Sequence, residues 1–416
     1  MGAHENANKI MNNAIYAQSG GVSSVINASA YGVITELMRL VPKTKIYAAQ
    51  NGILGFLDGQ VYDIGETKKS LKLLVDSPAG MFGSCRFKLP ELTDKKFYQT
   101  LFEKLDYRSI KYFFYNGGND SADTCLKISV AAKKIGYELF AVAVPKTIDN
   151  DLMITDNCPG FGSVAKYIAT SVKEASLDLR SMCQTSTNVF ILGVMGRHAG
   201  WIAASAELAN NPKETYVHKI LLPEVPLDEA KFLSGVEDDI SNFGFSVIVA
   251  SEGVKRKDGH FYSQTEEQDS FGHVQLGGLA PQISELVNKN LGLKYHWSVS
   301  DYLQRSARHL VSKTDLEQAI AVGKVAVQFA ISGKTGVMPA IKRVSSTPYK
   351  WKIIEGNLVD IANKEKTVPR DYITESGFRI NKKGVTYLHP LIQGESFPKF
   401  ESGIPKYEQL DLHLAK

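Results

Sequence analysis

The segment Pro145-Lys146-Thr147-Ile148-Asp149-Asn150-Asp151 sets two carboxylates two residues apart beside a lysine. One carboxylate can take a proton from a hydroxyl while the ammonium neutralises an anionic group, which is most of what phosphoryl transfer asks of a protein. A charged turn that caps a helix through Thr147 or Asp149 is the competing reading of the same residues. Two glycine pairs, Gly20-Gly21 and Gly117-Gly118, each follow an apolar run and precede helical spacing. Their backbone N–H groups and the helix N-terminus behind them can cradle a phosphate. Neither pair fits GxxxxGK(S/T) or GxGxxG, and a tight turn without a ligand has the same signature.

The elements that must position these residues follow from periodicity. An apolar run at 14–18 meets Ser19-Gly20-Gly21, then Val25, Ile26, Ala30, Val33, Ile34 and Leu37 recur at helical spacing. The layout returns at 112–115, with the turn Asn116 to Ser121, a helix expected over about 122–134, and a second apolar run at 139–144 that stops at Pro145. That is a βαβ unit with its glycine turn at the strand's C-terminal end. Two more strands are expected, 189–194 ending at Met195-Gly196-Arg197 before a small-residue helix at 203–208, and 245–250 ending at Ser251-Glu252-Gly253. Strands that each deliver polar residues at their C-terminal tips imply an open α/β sheet with its ligand site there.

The bulk numbers narrow the class. The chain has 416 residues, 44% hydrophobic, 22% charged and 10% aromatic, which suits a folded body of two lobes or two domains. Forty-eight Lys and Arg against 44 Asp and Glu leave a formal charge of +4 with no basic arm, so neither nucleic acid nor a membrane surface is expected as partner. Cys85, Cys125, Cys158 and Cys183 form no CxxC pair, and no apolar stretch is long enough to cross a bilayer. A polar N-terminus without a secretory pattern completes the expectation of a cytoplasmic protein with reduced thiols. No repeat is evident, and from about Ser345 onward the sequence turns rich in Lys, Tyr and turn residues, read as an irregular extension that wraps a lobe or an interface.

Taken together, YNGGNDSADT, PKTIDND, CPGFGSVAKYIA, VMGRHAGW, ASEG and GHVQLGG occur in an order and spacing that resembles the 6-phosphofructokinase family over residues 14–340. Lys146, where ATP-using members commonly have glycine, resembles the pyrophosphate-dependent branch. The resemblance implies a two-lobed α/β fold, each lobe a mostly parallel sheet with helices on both faces and the active site in the cleft. Residues 1–160, completed by about 275–340, would form the larger, phosphoryl-donor lobe, 161–274 the smaller sugar-phosphate lobe, and 341–416 a C-terminal extension. The implied reaction is reversible phosphoryl transfer from pyrophosphate to the C1 hydroxyl of fructose 6-phosphate with Mg²⁺, in a homodimer or homotetramer.

The same resemblance distributes roles. Asp149 would be the base for the C1 hydroxyl, with Thr147 and Ile148 beside the sugar and Lys146 neutralising the transferring phosphoryl. Gly20, Gly21, Arg86, Gly118, Asn119, Asp120 and Ser121 would hold pyrophosphate. Met195, Gly196, Arg197, Glu252, Tyr302 and Arg305 would hold the sugar phosphate, and Asp120, Asn119 and Asp151 would face the metal. Asp120 stands where ATP-using relatives keep a glycine; a carboxylate there fills the space of a nucleotide's α-phosphate and repels it. Asn119 departs from the family's aspartate, and an amide is a poorer ligand for a hard cation. Leu276 and Asn188 stand where ATP-using relatives have arginines, which leaves Tyr302 and Arg305, with His273, as the expected phosphate clamp. Arg308, one helical turn on, is either solvated or functional. The rival readings are an ATP-dependent 6-phosphofructokinase, a lipid or NAD kinase with a Gly-Gly-Asp turn, and a non-catalytic sugar-phosphate-binding regulatory subunit.

Overall fold

The computed structural model describes residues 12–268, 274–276 and 278–415, and side chains outside 264–277. Two main sheets carry the chain. In the larger, β1 (Asn13–Gln18), β2 (Ile46–Ala49), β3 (Val61–Asp63), β4 (Ile110–Gly117) and β5 (Phe140–Pro145) are joined by two strands from late in the sequence. The smaller contains β6 (Val189–Val194), β7 (Lys219–Leu221) and β8 (Ser246–Ser251). A short antiparallel pair follows, β9 (Gln264–Gln268) with β10 (Val274–Leu276), and then β11 (Tyr295–Val299) joins the smaller sheet. The chain returns to the larger sheet as β12 (Val337–Ser346) and β13 (Tyr349–Asn357).

The larger sheet runs β13-β12-β5-β4-β1-β2-β3, parallel except where β13 and β3 close its edges antiparallel. The smaller runs β11-β6-β8-β7 and is parallel throughout. Period-two alternation explains why such apolar strands sit at the centre of each sheet. Phe113 and Tyr115 of β4 feed one core with Ile15 and Ala17 of β1, while Tyr112 and Phe114 feed another with Ala14 and Tyr16. In the smaller sheet Leu192 and Val194 face one layer and Val189 and Ile191 the other.

On the larger sheet the helices Ile26–Leu40 and Lys313–Ile331 lie against each other with almost no gap. A Cβ on Gly32 would sit 2.3 Å from the Ile320 carbonyl oxygen, and one on Gly323 2.3 Å from that of Ser29, so this crossing requires glycine on both helices. The helix Phe161–Met182 links the two sheets.

Residue 341, where the extension was expected to begin, lies inside β12. The segment Tyr349-Lys350-Trp351-Lys352-Ile353 alternates apolar and basic residues, the pattern of a half-buried edge strand, and β13 pairs along its length with β12. Beyond it the chain crosses to the smaller sheet, where Val368, Ile373, Ile380, Tyr387, Leu388 and Leu391 share a core with Phe161 and Trp201.

Candidate active site

The tips of β1, β4 and β5 from the larger sheet and of β6 and β8 from the smaller open onto one cleft of about 420 Å³. Backbone bonds set the larger-sheet side. Ser19 N donates to the Asn116 carbonyl (2.8 Å), Gly20 N to that of Cys85 (2.9 Å) and Lys146 N to that of Gly117 (3.0 Å). Lys146 is buried, and its ammonium donates to the Gly21 carbonyl. Arg86 and Arg305 approach the same turn: a Cβ on Gly21 would lie 2.7 Å from Arg305 Nη1 and 3.9 Å from Arg86 Nη2. Arg305 also stacks over the Tyr302 ring, 4.0 Å from its centroid. Three cations thus converge on a side-chain-free backbone turn, an arrangement suited to a polyanion.

The two carboxylates owe their placement to the residue between them. Asn150 is fully buried with φ +56°, a left-handed conformation that asparagine tolerates better than most residues. Its Oδ1 accepts from Cys158 N (2.9 Å) and its Nδ2 donates to the Tyr387 hydroxyl (2.9 Å). The turn so fixed brings both Asp149 and Asp151 to the cleft, with Asp149 N donating to Thr147 Oγ1 (3.1 Å).

Electrostatics favour a proton acceptor at this loop. Burial, then the neighbouring Asp151 and Glu252 carboxylates, raise the Asp149 carboxyl above the usual range, and Lys146 opposes them. Burial likewise raises Asp151, against a hydrogen bond from Thr147. Lys146 is pulled down to about 8 by burial and by Arg305, with Asp149 restraining the fall. A base made stronger and a cation made a better proton donor suit acid–base work near neutral pH.

Asn119 and Asp151 bear on a metal. Asn119 Nδ2 donates to the Lys364 carbonyl (2.6 Å), which leaves Asn119 Oδ1 buried without a protein partner, and Asp151 Oδ1 is buried in the same state. Two hard oxygens left over in one cleft fit a divalent cation, although among the described residues no three His, Cys, Asp or Glu side chains are grouped closely enough to hold one alone. That pattern suits an ion held largely by substrate phosphates and water.

A scan against family models matches residues 13–330 to phosphofructokinase. The chain belongs to the phosphofructokinase family. Enzymes of this family are phosphotransferases that in general use a divalent metal. Relatives named pyrophosphate–fructose 6-phosphate 1-phosphotransferase include one from Halomonas elongata, 53% identical over 404 residues and 96% of each chain. Another, from Methylococcus capsulatus, is 51% identical over 402 residues, again 96% of each. The crystal structure of a pyrophosphate-dependent phosphofructokinase from Nitrosospira multiformis superposes with a TM-score of 0.91 at 49% identity, covering 97% of this chain and 98% of that one.

Within this phosphofructokinase cleft the structure gathers Gly20, Gly21, Arg86, Gly118, Asn119, Asp120, Ser121, Lys146, Thr147, Ile148, Asp149, Asp151, Met195, Arg197, Glu252, Tyr302 and Arg305. Gly196 does not line it; its N–H donates to Oε1 of the cleft-lining Glu252 (3.4 Å). Asn188 is structural, its amide bonded to the Cys183 carbonyl (2.8 Å). Arg308 is neither solvated nor in the cleft. It is fully buried, with Nε on the Val75 carbonyl (3.1 Å) and Nη2 on Asp76 (3.3 Å). His273 and the Leu276 side chain fall outside the described residues. Sequence reasoning missed Ser19, Val22, His198, Ala199 and Glu365. His198 was within reach, since it adjoins Arg197 in VMGRHAGW, whereas nothing in the charged, aperiodic stretch around Glu365 marks it.

Proposed function

We infer that this chain catalyses the reversible transfer of phosphoryl from pyrophosphate to the C1 hydroxyl of fructose 6-phosphate, giving fructose 1,6-bisphosphate and phosphate. The observation that carries the reading is the meeting of Lys146, Arg86 and Arg305 at the Gly20-Gly21 turn, with Asp149 in the same cleft. Such a site neutralises a diphosphate and offers a base to a hydroxyl. The relatives named above act, by their names, on these substrates.

Asp149 accepts the C1 hydroxyl proton as the oxygen attacks the nearer phosphorus. Lys146 and Arg86 offset the charge that builds on the transferring group and on the departing phosphate, while Gly118 and Ser121 present the start of the helix Asn119–Ile135 to the anion. Asp120, in that helix's first turn, repels the α-phosphate a nucleotide would bring. Glu252 and Met195 face the sugar, and Arg197, Tyr302 and Arg305 hold its 6-phosphate. Mg²⁺, when bound, supplies further charge neutralisation across the phosphates, and Asp151, Asn119 and Asp120 are the residues that would hold it.

Exposed Trp297, Val299, Tyr302 and Leu303 continue from the cleft along edge strand β11 and the helix Asp301–Ser306. This apolar face suits a second copy, in line with a homodimer or homotetramer. Four unpaired cysteines suit a cytoplasmic setting.

The test is fructose 6-phosphate and Mg²⁺ supplied in parallel with pyrophosphate, ATP or neither, following fructose 1,6-bisphosphate. Turnover with pyrophosphate alone is expected. Turnover with ATP and none with pyrophosphate would overturn the donor assignment.

A further inference from the structure

Residues 363–368 cross from one wall of the cleft to the other, and their hydrogen bonds fall on both. On the donor wall Asn363 Nδ2 donates to Asp123 Oδ1 (2.9 Å), and the Lys364 carbonyl receives the Asn119 amide (2.6 Å). Over the catalytic loop, Lys366 N donates to the Asp151 carbonyl (2.7 Å), and Glu365 forms an antiparallel bridge with Leu152. On the sugar wall Trp201 Nε1 donates to the Lys366 carbonyl (3.0 Å). Val368 N donates to Glu224 Oε1 (2.8 Å), the oxygen that also accepts Gly200 N (2.9 Å).

The turn at 195–200 is thus pinned at both ends. Ser251 Oγ donates to the Gly196 carbonyl (2.6 Å) at its start, and Glu224 holds its end. Between these anchors lie Arg197 and His198, and His198 Nδ1 stands 3.5 Å from Glu365 Oε2. Both partners are more than two-fifths exposed, so the pair adds little to stability. Its consequence is geometric. It ties the middle of the sugar-side turn to the strap that also grips the catalytic loop.

We propose that Glu365, through His198, is a positioning residue for the sugar phosphate, holding Arg197 at a set distance from Asp149. The inference rests on the sugar-phosphate reading of the cleft given above. A misplacement of about 1 Å at a reacting pair is enough to cost roughly a hundredfold in rate, so a weak contact at this point can matter to turnover while leaving the fold unchanged.

The test is a double-mutant cycle of Glu365→Ala and His198→Ala, with fructose 6-phosphate binding read by calorimetry and KM read for both substrates. Each single change is expected to weaken fructose 6-phosphate binding about 5- to 10-fold and to leave the pyrophosphate KM within about twofold. The double variant is expected to lose no more than the worse single, as for two members of one contact. Glu365→Gln keeps an acceptor for an imidazole N–H and should recover most of the loss. Additive losses, equal losses for both substrates, or an unchanged fructose 6-phosphate affinity would overturn the proposal. His198→Ala, on the opposite wall, reads the same split if the Glu365 alanine variant fails to fold. Absence of pyrophosphate turnover in the unchanged protein would count against the donor reading, while the binding arm would still decide the role of Glu365.

Discussion

The two walls of the cleft are built by different means. On the larger-sheet wall the turn at 19–21 and Lys146 hang from backbone bonds to the Asn116, Cys85 and Gly117 carbonyls, and the buried side chain of Asn150 sets Asp149 and Asp151. On the smaller-sheet wall the turn at 195–200 has a backbone bond, Gly253 N to the Gly196 carbonyl, and takes its other anchors from side chains: Gln304 on Met195 N, Glu252 on Gly196 N and Glu224 on Gly200 N. Backbone ladders fix atoms whatever the side chains, whereas side-chain clamps can be lost one residue at a time. A turn hung on backbone suits groups that must not move, and one held by side chains can be tuned by substitution.

The largest effect expected is at the donor wall. Asp149→Ser should lower turnover by about a thousandfold, the scale of a lost general base, with the fructose 6-phosphate KM changed only a few-fold. Burial raises the Asp149 carboxyl, so the folded state binds more protons than the unfolded one between the unfolded value and the raised one. Stability therefore falls as pH climbs through that window, and at neutral pH the ionised group is a cost. The Asp149→Ser melting temperature should accordingly be no lower than the parent's. A variant that melts earlier while keeping its activity would make Asp149 a structural residue.

A smaller effect, roughly tenfold at the extremes, is expected in the pH profile of kcat/KM, which reports the free enzyme. Activity should fall on the acid side as Asp149 takes up a proton, nearer neutrality than an ordinary carboxylate because its range is raised. It should fall on the alkaline side as Lys146, drawn down to about 8, gives its proton up. Lys146→Arg keeps the charge at all these pH values and should abolish the alkaline limb. An alkaline limb unmoved by that change would assign it to another group.

Much of the larger-sheet wall was legible in the sequence because the residues that line it sit in contiguous runs behind apolar strands. PKTIDND and the Gly117-Gly118 turn each come at the end of an apolar run, and the structure places them at the tips of β5 and β4. The role of Asn150 was not legible, since it depends on a left-handed backbone and on Tyr387, more than two hundred residues away. Glu365 is harder still. Residues 363–367 are polar and aperiodic, and only the return of β12 and β13 to the larger sheet carries them to the cleft. Arg308 teaches the converse: an arginine three residues beyond the cleft-lining Arg305 is buried for packing, its partners lying near 76 and 396. Its fate was set by chain segments that no local pattern could name.

The central claim is that this cleft moves phosphoryl between a sugar hydroxyl and an inorganic acceptor. The most direct measurement runs the reaction backwards: fructose 1,6-bisphosphate, orthophosphate and Mg²⁺ with the protein, followed by phosphorus NMR. Pyrophosphate and fructose 6-phosphate should appear in equal amounts, and neither at a comparable rate with Asp149→Ser. Orthophosphate released from the bisphosphate without any pyrophosphate, or no change in the presence of a protein that turns over ATP, would contradict the account.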